Sequence, residues 1–264
     1  MNDARISQRK GGPEMAYTIA VAGKGGTGKT TLCGFLLDYL AEHGKGPVLA
    51  VDADANSNLN EVMGVDVELT LGDLREQVAH AQDIPSGMSK QDYMDMKFNR
   101  ALIEEDDYDM LVMGRTQGQG CYCFVNGLLQ TQLGKYAGSY KYMVVDNEAG
   151  MEHLSRGLLP SVDVILLVSD CSRRGVQAVG RIARLADELA LHPGKIGLVV
   201  NRAPDGVLDP GTAEEIETQG LTLWGVIPQD DMVYRYDCDG KPTSKLPHDA
   251  KSRVAFEQLA EKLF

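Results

Sequence analysis

The 264-residue chain has a single tryptophan, five phenylalanines and five cysteines, and aromatic residues make up only 6% of it. An odd handful of cysteines in a chain this long does not read as the disulfide framework of a small secreted domain. No apolar run approaches the roughly 20 residues of a membrane span. Basic charge is also short. Lys and Arg number 26 against 38 Asp and Glu, a formal net charge of -12 with no Lys/Arg cluster, which argues against a nucleic-acid footprint. Residues 1–14 carry Arg5, Arg9 and Lys10 but no apolar stretch, so they do not form a secretory signal. With Gly11-Gly12-Pro13 they read as a flexible N-terminal extension, and Met15 reads as an alternative start. The expectation is a cytoplasmic protein with neither membrane nor nucleic acid as partner. It would hold one large domain over residues 15–264, long enough for a substantial core.

What is present begins at residues 19–31. The apolar run Ile19-Ala20-Val21-Ala22 stops at Gly23, and three more glycines follow in Gly23-Lys24-Gly25-Gly26-Thr27-Gly28. Lys29-Thr30-Thr31 then opens a helix-patterned segment with Leu32, Phe35, Leu36, Tyr39 and Leu40 on one face. This is G-x-x-x-x-G-K-T in the strand–loop–helix setting that the phosphate loop requires. Glycine lets successive backbone N–H groups turn toward phosphate oxygens without side-chain clashes, and the positive end of the helix lies under the same phosphates. Lys29 supplies a point charge to the β- and γ-phosphates, and the Thr30 hydroxyl can ligand Mg²⁺. These residues predict a nucleoside triphosphate as ligand, held by Gly23, Gly25, Gly26, Thr27, Gly28, Lys29, Thr30 and Thr31.

Further strands are predicted at 47–51, 108–113, 142–146, 162–168, 196–200 and 221–226. Helices are predicted at 70–82, 124–133 and 176–189 and over the tail from 248, while residues 83–108 are weakly patterned and left open. Alternation of strands with helices makes a doubly wound α/β domain, its mainly parallel sheet covered by helices on both faces. The tail, 251–264, balances Glu257 and Glu261 against Lys251, Arg253 and Lys262, which suits a packed helix better than a basic membrane anchor.

Ligands of such sheets sit beyond the carboxyl ends of the strands. Asp52 ends the second predicted strand, Asp54 follows two residues on, and Asp146 ends the fourth. Asp146 fits the role of anchoring the Mg²⁺ shell. Asp52 and Asp54 fit a loop in which one carboxylate orients the attacking water, with Asp54 the preferred choice and Asp52 given to the metal shell. Asn201 follows the sixth predicted strand, and its amide matches the N6/N7 edge of adenine as well as it suits a turn. Pro228-Gln229-Asp230 is expected to close the other side of the base.

Cys121 and Cys123, one residue apart after a glycine-rich loop, are a weak motif alone. They are either incidental thiols or half of a tetrahedral site that a two-fold dimer would complete, suited to zinc, nickel or an iron–sulfur cluster.

The loop Gly23-Lys24-Gly25-Gly26-Thr27-Gly28-Lys29-Thr30-Thr31 resembles the deviant Walker A motif of the MinD, ParA, ArsA and nitrogenase iron-protein ATPases. That resemblance implies a homodimer that closes on ATP, with Lys24 reaching the partner's phosphates, and it gives the base-reading role to Asn201. Three blocks narrow it further: Val51-Asp52-Ala53-Asp54-Ala55-Asn56-Ser57-Asn58, Asp107 to Arg115 running into Gly120-Cys121-Tyr122-Cys123, and Val145 to Arg156. They resemble the CooC-type maturation ATPases of carbon monoxide dehydrogenase. The resemblance implies nickel (or zinc) held by Cys121 and Cys123 at the dimer interface, and a client that is carbon monoxide dehydrogenase or the related acetyl-CoA synthase. It also makes residues 146–156 a switch between phosphate and interface. A positioning ATPase of the MinD or ParA kind, or an iron–sulfur scaffold like the nitrogenase iron protein, is the rival reading.

Overall fold

The computed structural model describes residues 16–79, 84–85, 87–115, 123–136, 138–149, 161–189 and 191–264. Eight strands form one sheet: β1 (Tyr17–Gly23), β2 (Val48–Ala53), β3 (Ile103–Glu104), β4 (Asp109–Val112), β5 (Tyr142–Asn147), β6 (Val164–Asp170), β7 (Lys195–Ala203) and β8 (Leu223–Pro228). Their spatial order is β3-β4-β2-β5-β1-β6-β7-β8. Every pairing is parallel except β3 with β4. The helices are α1 (Lys29–Glu42), α2 (Leu59–Met63), α3 (Leu71–Ala79), α4 (Lys90–Ala101), α5 (Cys123–Tyr136), α6 (Arg173–Glu188), α7 (Pro210–Thr218), α8 (Asp231–Cys238) and α9 (Lys251–Ala260).

The doubly wound architecture follows from strands buried on both faces. In β1, Ile19 and Val21 face one core together with Leu32, Leu36 and Leu40 of α1 and Phe256 and Leu259 of α9. Ala20 and Ala22 face the other, with Leu71 and Leu74 of α3, Phe98 of α4, and Val176 and Val179 of α6. A parallel strand covered by helices on both sides has no polar face to show, which is why these strands read as continuous apolar runs. β1 lies between β5 and β6, and the chain leaves β1 toward β2 on one side and later crosses to β6 on the other. The carboxyl end of β1 is thus the crevice where an open α/β sheet takes its ligand.

The weakly patterned stretch 83–108 contains α4 and the two-residue strand β3. Ser89 caps α4 by accepting from the Asp92 backbone N–H at 3.1 Å. The sixth predicted strand is longer than expected: β7 runs through Ala203, so Asn201 lies inside a strand rather than after it. The N-terminal extension lies outside the described residues. Among the described residues, no helix is long and apolar enough to cross a membrane.

The terminal helix is packed, as expected. Arg253 is 5% exposed and its guanidinium bonds Asp38 of α1, Glu42 at 2.6 Å, and the Ser244 and Leu246 carbonyls at 3.2 and 2.8 Å. Removing one partner of a buried ion pair leaves a poorly compensated charge, here Asp38, whose other cation, Lys245, stands 3.8 Å away. Arg253→Ala is expected to destabilise the fold by about 3–5 kcal/mol, read as a lowered urea midpoint. A Met substitution, which keeps the bulk but not the charge, should do little better.

Candidate nucleotide site

The loop between β1 and α1 is shaped by two glycines that tolerate no side chain. A Cβ on Gly23 would stand 2.2 Å from the Val168 carbonyl oxygen of β6. Gly28 sits at φ +91°, and its Cβ would meet the Asn201 Nδ2 at 2.3 Å. Helix α1 starts directly after Gly28, with no side-chain cap and no acidic residue in its first turn. Its orphan N–H groups and dipole therefore face the loop uncompensated, the arrangement that binds an anion. Lys29 is 7% exposed and donates to the Lys24 carbonyl at 3.3 Å, and the Thr27 hydroxyl donates to the same carbonyl at 2.9 Å. The backbone of Lys24 thus organises the loop while the residue itself is exposed.

Asp52 and Asp146 end adjacent parallel strands and are direct register partners. Both are buried, at 0% and 1% exposure. Burial, reinforced by Asp146, pushes the Asp52 carboxyl up to about 7, against the pull of the Leu59 and Asp54 backbone N–H groups. These bond its two oxygens at 3.0 and 3.1 Å. Burial likewise carries Asp146 to about 6, opposed by hydrogen bonding from Thr30 and the Lys29 charge. The Asp146 Oδ1 is buried with no hydrogen-bond partner. An unpaired anionic oxygen beside a threonine hydroxyl and a second carboxylate is a donor set of hard oxygens, which fits Mg²⁺. Asp54 lies in the turn beyond β2, half-buried, and its Oδ1 accepts from the Asn56 backbone and side-chain N–H groups at 2.8 and 3.1 Å.

Asn201 reaches the loop itself. Its Nδ2 donates to the Thr27 carbonyl at 2.8 Å and its Oδ1 accepts from the Arg202 N–H at 2.9 Å. Arg202, at φ +57°, donates to the Gly26 carbonyl at 3.1 Å. The end of β7 is therefore a brace on the phosphate loop. Pro228 closes β8 opposite Ala203, and Gln229 N–H bonds the Ala203 carbonyl at 2.9 Å, so the two segments expected around a base are adjacent.

Cys121 lies outside the described residues, as do residues 150–156 of the expected switch. Cys123 is the first residue of α5. Three contributors escaped the reading of the sequence. Cys33, fully buried, hydrogen-bonds the Asp146 carboxylate, and burial raises its thiol well above the ordinary range. Its spacing of one helical turn from Thr30 was the available signal. Asn147, 1% exposed, donates to the Val21 carbonyl at 3.0 Å and ties β5 to β1 beside the site. Arg202 gave no signal beyond adjacency to Asn201, because its role depends on a left-handed backbone that sequence does not declare.

A parallel sheet delivering a glycine loop, a buried lysine and two buried carboxylates to one crevice defines a P-loop nucleotide-binding protein. The chain belongs to the CobQ/CobB/MinD/ParA nucleotide-binding domain family, whose profile matches residues 18–243. It is 40% identical over 251 residues to an uncharacterized ATP-binding protein of Methanocaldococcus jannaschii, covering 93% of this chain and 97% of the other. It is 29% identical over 208 residues to the carbon monoxide dehydrogenase accessory protein CooC of Rhodospirillum rubrum, covering 70% and 79%. Among solved structures, the septum site-determining protein MinD of Pyrococcus horikoshii, complexed with Mg-ADP, superimposes with a TM-score of 0.70 at 24% identity, covering 94% and 96%.

Proposed function

We propose that this chain is an ATP-hydrolysing, dimerising maturation factor. It would take a soft metal ion, nickel, as cargo on Cys121 and Cys123 and drive its insertion into the active-site cluster of a carbon monoxide dehydrogenase. One observation carries the reading: a Cys-x-Cys pair stands in a chain of this nucleotide-binding family that is also similar to a carbon monoxide dehydrogenase accessory protein.

Each residue then has a task. The loop N–H groups from Gly25 to Thr31 and the Lys29 ammonium bind the phosphates. Thr30 and Asp146, with Asp52 behind them, would hold Mg²⁺, which would supply charge neutralisation to the phosphate oxygens. Asp54 orients the attacking water. Asn201 fixes the loop through Thr27 and presents its remaining amide hydrogen to the base. Lys24, exposed at the loop crown, crosses to the phosphates of a second protomer, so the closed dimer persists only while the γ-phosphate does. Two Cys-x-Cys pairs meeting across that dimer supply four thiolates, and nucleotide state and metal affinity become coupled in both directions.

A positioning ATPase of the MinD or ParA kind is the second reading, and the family and the MinD fold match support it equally; ATP-dependent binding of the protein to liposomes would favour it. The test is a Cys121→Ala/Cys123→Ala variant studied anaerobically. It is expected to keep parent ATP affinity and lose nickel binding. Undiminished nickel binding would overturn the metal reading, and a brown parent protein with a broad visible band would favour an iron–sulfur scaffold.

A further inference from the structure

The turn that carries Asp54 is clipped to the segment leaving β4 at two points. Gly114 N–H donates to the Ser57 hydroxyl at 3.1 Å, and the Arg115 guanidinium donates to the Asn56 Oδ1 at 2.5 Å. One side of the clip is strained, and the other depends on glycine. Ser57 holds φ +50°, and Gly114 holds φ +66° at a place where a Cβ would meet the Thr70 hydroxyl at 2.4 Å. Gly72, where a Cβ would stand 2.4 Å from the Arg115 carbonyl oxygen, lets α3 press the segment from beneath. A strained turn held by its surroundings is over-determined, and that is what fixes a side chain at a reaction centre.

The chemistry of the amide gives Arg115 a particular task. A carboxamide is nearly symmetric in shape, and its two orientations differ only in which end donates. The Asn56 backbone N–H and Nδ2 both bond Asp54 Oδ1, which requires the Asn56 oxygen to point the other way. Arg115 meets that oxygen with a charge-assisted donor. If the guanidinium were absent, the amide would be free to rotate and bring its own oxygen against the Asp54 carboxylate. Both bonds from Asn56 end on Oδ1, so among the described residues Oδ2 is the oxygen available to a reacting group.

We propose that Arg115 is a positioning residue for hydrolysis. It sets the orientation of the Asn56 amide, and through it the carboxylate of Asp54. The inference rests on the water-orienting role given to Asp54 under the proposed function, and deepens it by naming what aims that carboxylate. Arg115 touches neither phosphate nor water in this scheme, so its removal acts on turnover and leaves nucleotide binding alone.

The experiment compares steady-state ATP hydrolysis and nucleotide affinity in the full-length parent, Arg115→Ala, Arg115→Lys, Asp54→Asn and the Arg115→Ala/Asp54→Asn pair, with thermal melts to verify folding. Arg115→Ala is expected to lower kcat about tenfold, with KM and the ATP dissociation constant within twofold of the parent. Arg115→Lys, which retains a donor and a charge, is expected to recover part of the loss. Residues that act as a unit are non-additive, so Arg115→Ala should cost nothing further in the Asp54→Asn background. A fully active Arg115→Ala beside an inactive Asp54→Asn overturns the inference alone. So does a loss that appears in KM rather than kcat, or one that multiplies with Asp54→Asn. An Asp54→Asn variant that turns over at the parent rate removes the parent reading and this inference with it. If Arg115→Ala melts early, Arg115→Lys decides: a folded Lys variant with no more activity than Asp54→Asn contradicts the amide-orienting role.

Discussion

Lys24→Ala is expected to bind ATP with nearly parent affinity and to hydrolyse it at least about 10³-fold more slowly, the loss seen when a phosphate-stabilising cation supplied by a partner is removed. The prediction follows from the division of labour inside the loop. The Lys24 carbonyl accepts from Thr27 and Lys29, so the backbone at this position holds the loop together whatever its side chain. Alanine keeps that carbonyl. What disappears is an exposed ammonium with no place in the loop's own hydrogen bonding among the described residues. Lys29→Ala should behave differently, losing affinity itself, because its ammonium is buried at the head of α1. Mixing Lys24→Ala with Asp54→Asn separates an action across the dimer from one within a protomer. A mixed dimer contains one site with Asp54 from one chain and Lys24 from the other. Random pairing should therefore restore roughly a quarter of parent activity. No recovery on mixing would mean that Lys24 acts within its own site.

Much of this was legible because the phosphate loop is a local device. Strand, glycine spacing, Lys29 and Thr30 are contiguous, and the loop's conformation follows from backbone sterics that glycine declares. The sheet was equally legible, since strands covered on both faces read as uninterrupted apolar runs such as Val164–Val168. The carboxylates at strand ends followed from the fold. What escaped was non-local or depended on unusual backbone. The pairing of Asp52 with Asp146 needs β2 and β5 to be neighbours, although several other elements separate the two strands along the chain. The clip of Arg115 on Asn56 joins residues that sequence gives no reason to connect, and the brace of Asn201 on Thr27 spans most of the chain. Helix α4 was missed because its apolar positions are few and its cap, Ser89 with Asp92, lies in a polar stretch.

The second large effect is a dependence of stability on pH that runs opposite to ordinary acid denaturation. Asp52 and Asp146 have carboxyls raised in the fold to about 7 and about 6, by burial first and by neighbouring carboxylates after it. In the unfolded chain both return to about 3.9. Between those values the folded state binds more protons than the unfolded one, so its stability falls as pH rises. The stabilisation is complete below about pH 4 as far as these two groups are concerned, and is lost through about pH 6 and 7. Without divalent cation or nucleotide, the melting temperature is expected to rise by roughly 5–10 °C between pH 8 and pH 5.5, before other groups reverse the trend. A cation bound at the Asp146 oxygen favours the ionised form, so Mg·ADP should stabilise most at pH 8 and flatten the profile. Asp52→Asn should flatten it in the absence of ligand, because it removes the group raised furthest. Thermal melts at several pH values, with and without Mg·ADP, check this. A profile that falls from pH 8 to pH 5.5 would contradict the assignment of these two carboxylates as a buried, cation-seeking pair.

Nucleotide state and metal binding are tied together in this account, and an anaerobic nickel titration reads that tie directly. Nickel is added to the full-length protein with and without Mg·ATP, while bound metal and molecular mass are followed together by size-exclusion chromatography with light scattering. Four thiolates shared across one interface should hold one nickel per dimer, with affinity raised at least about fivefold by Mg·ATP and ATP affinity raised by the same factor when nickel is present. Nickel bound one per monomer, or with an affinity indifferent to ATP, would contradict it.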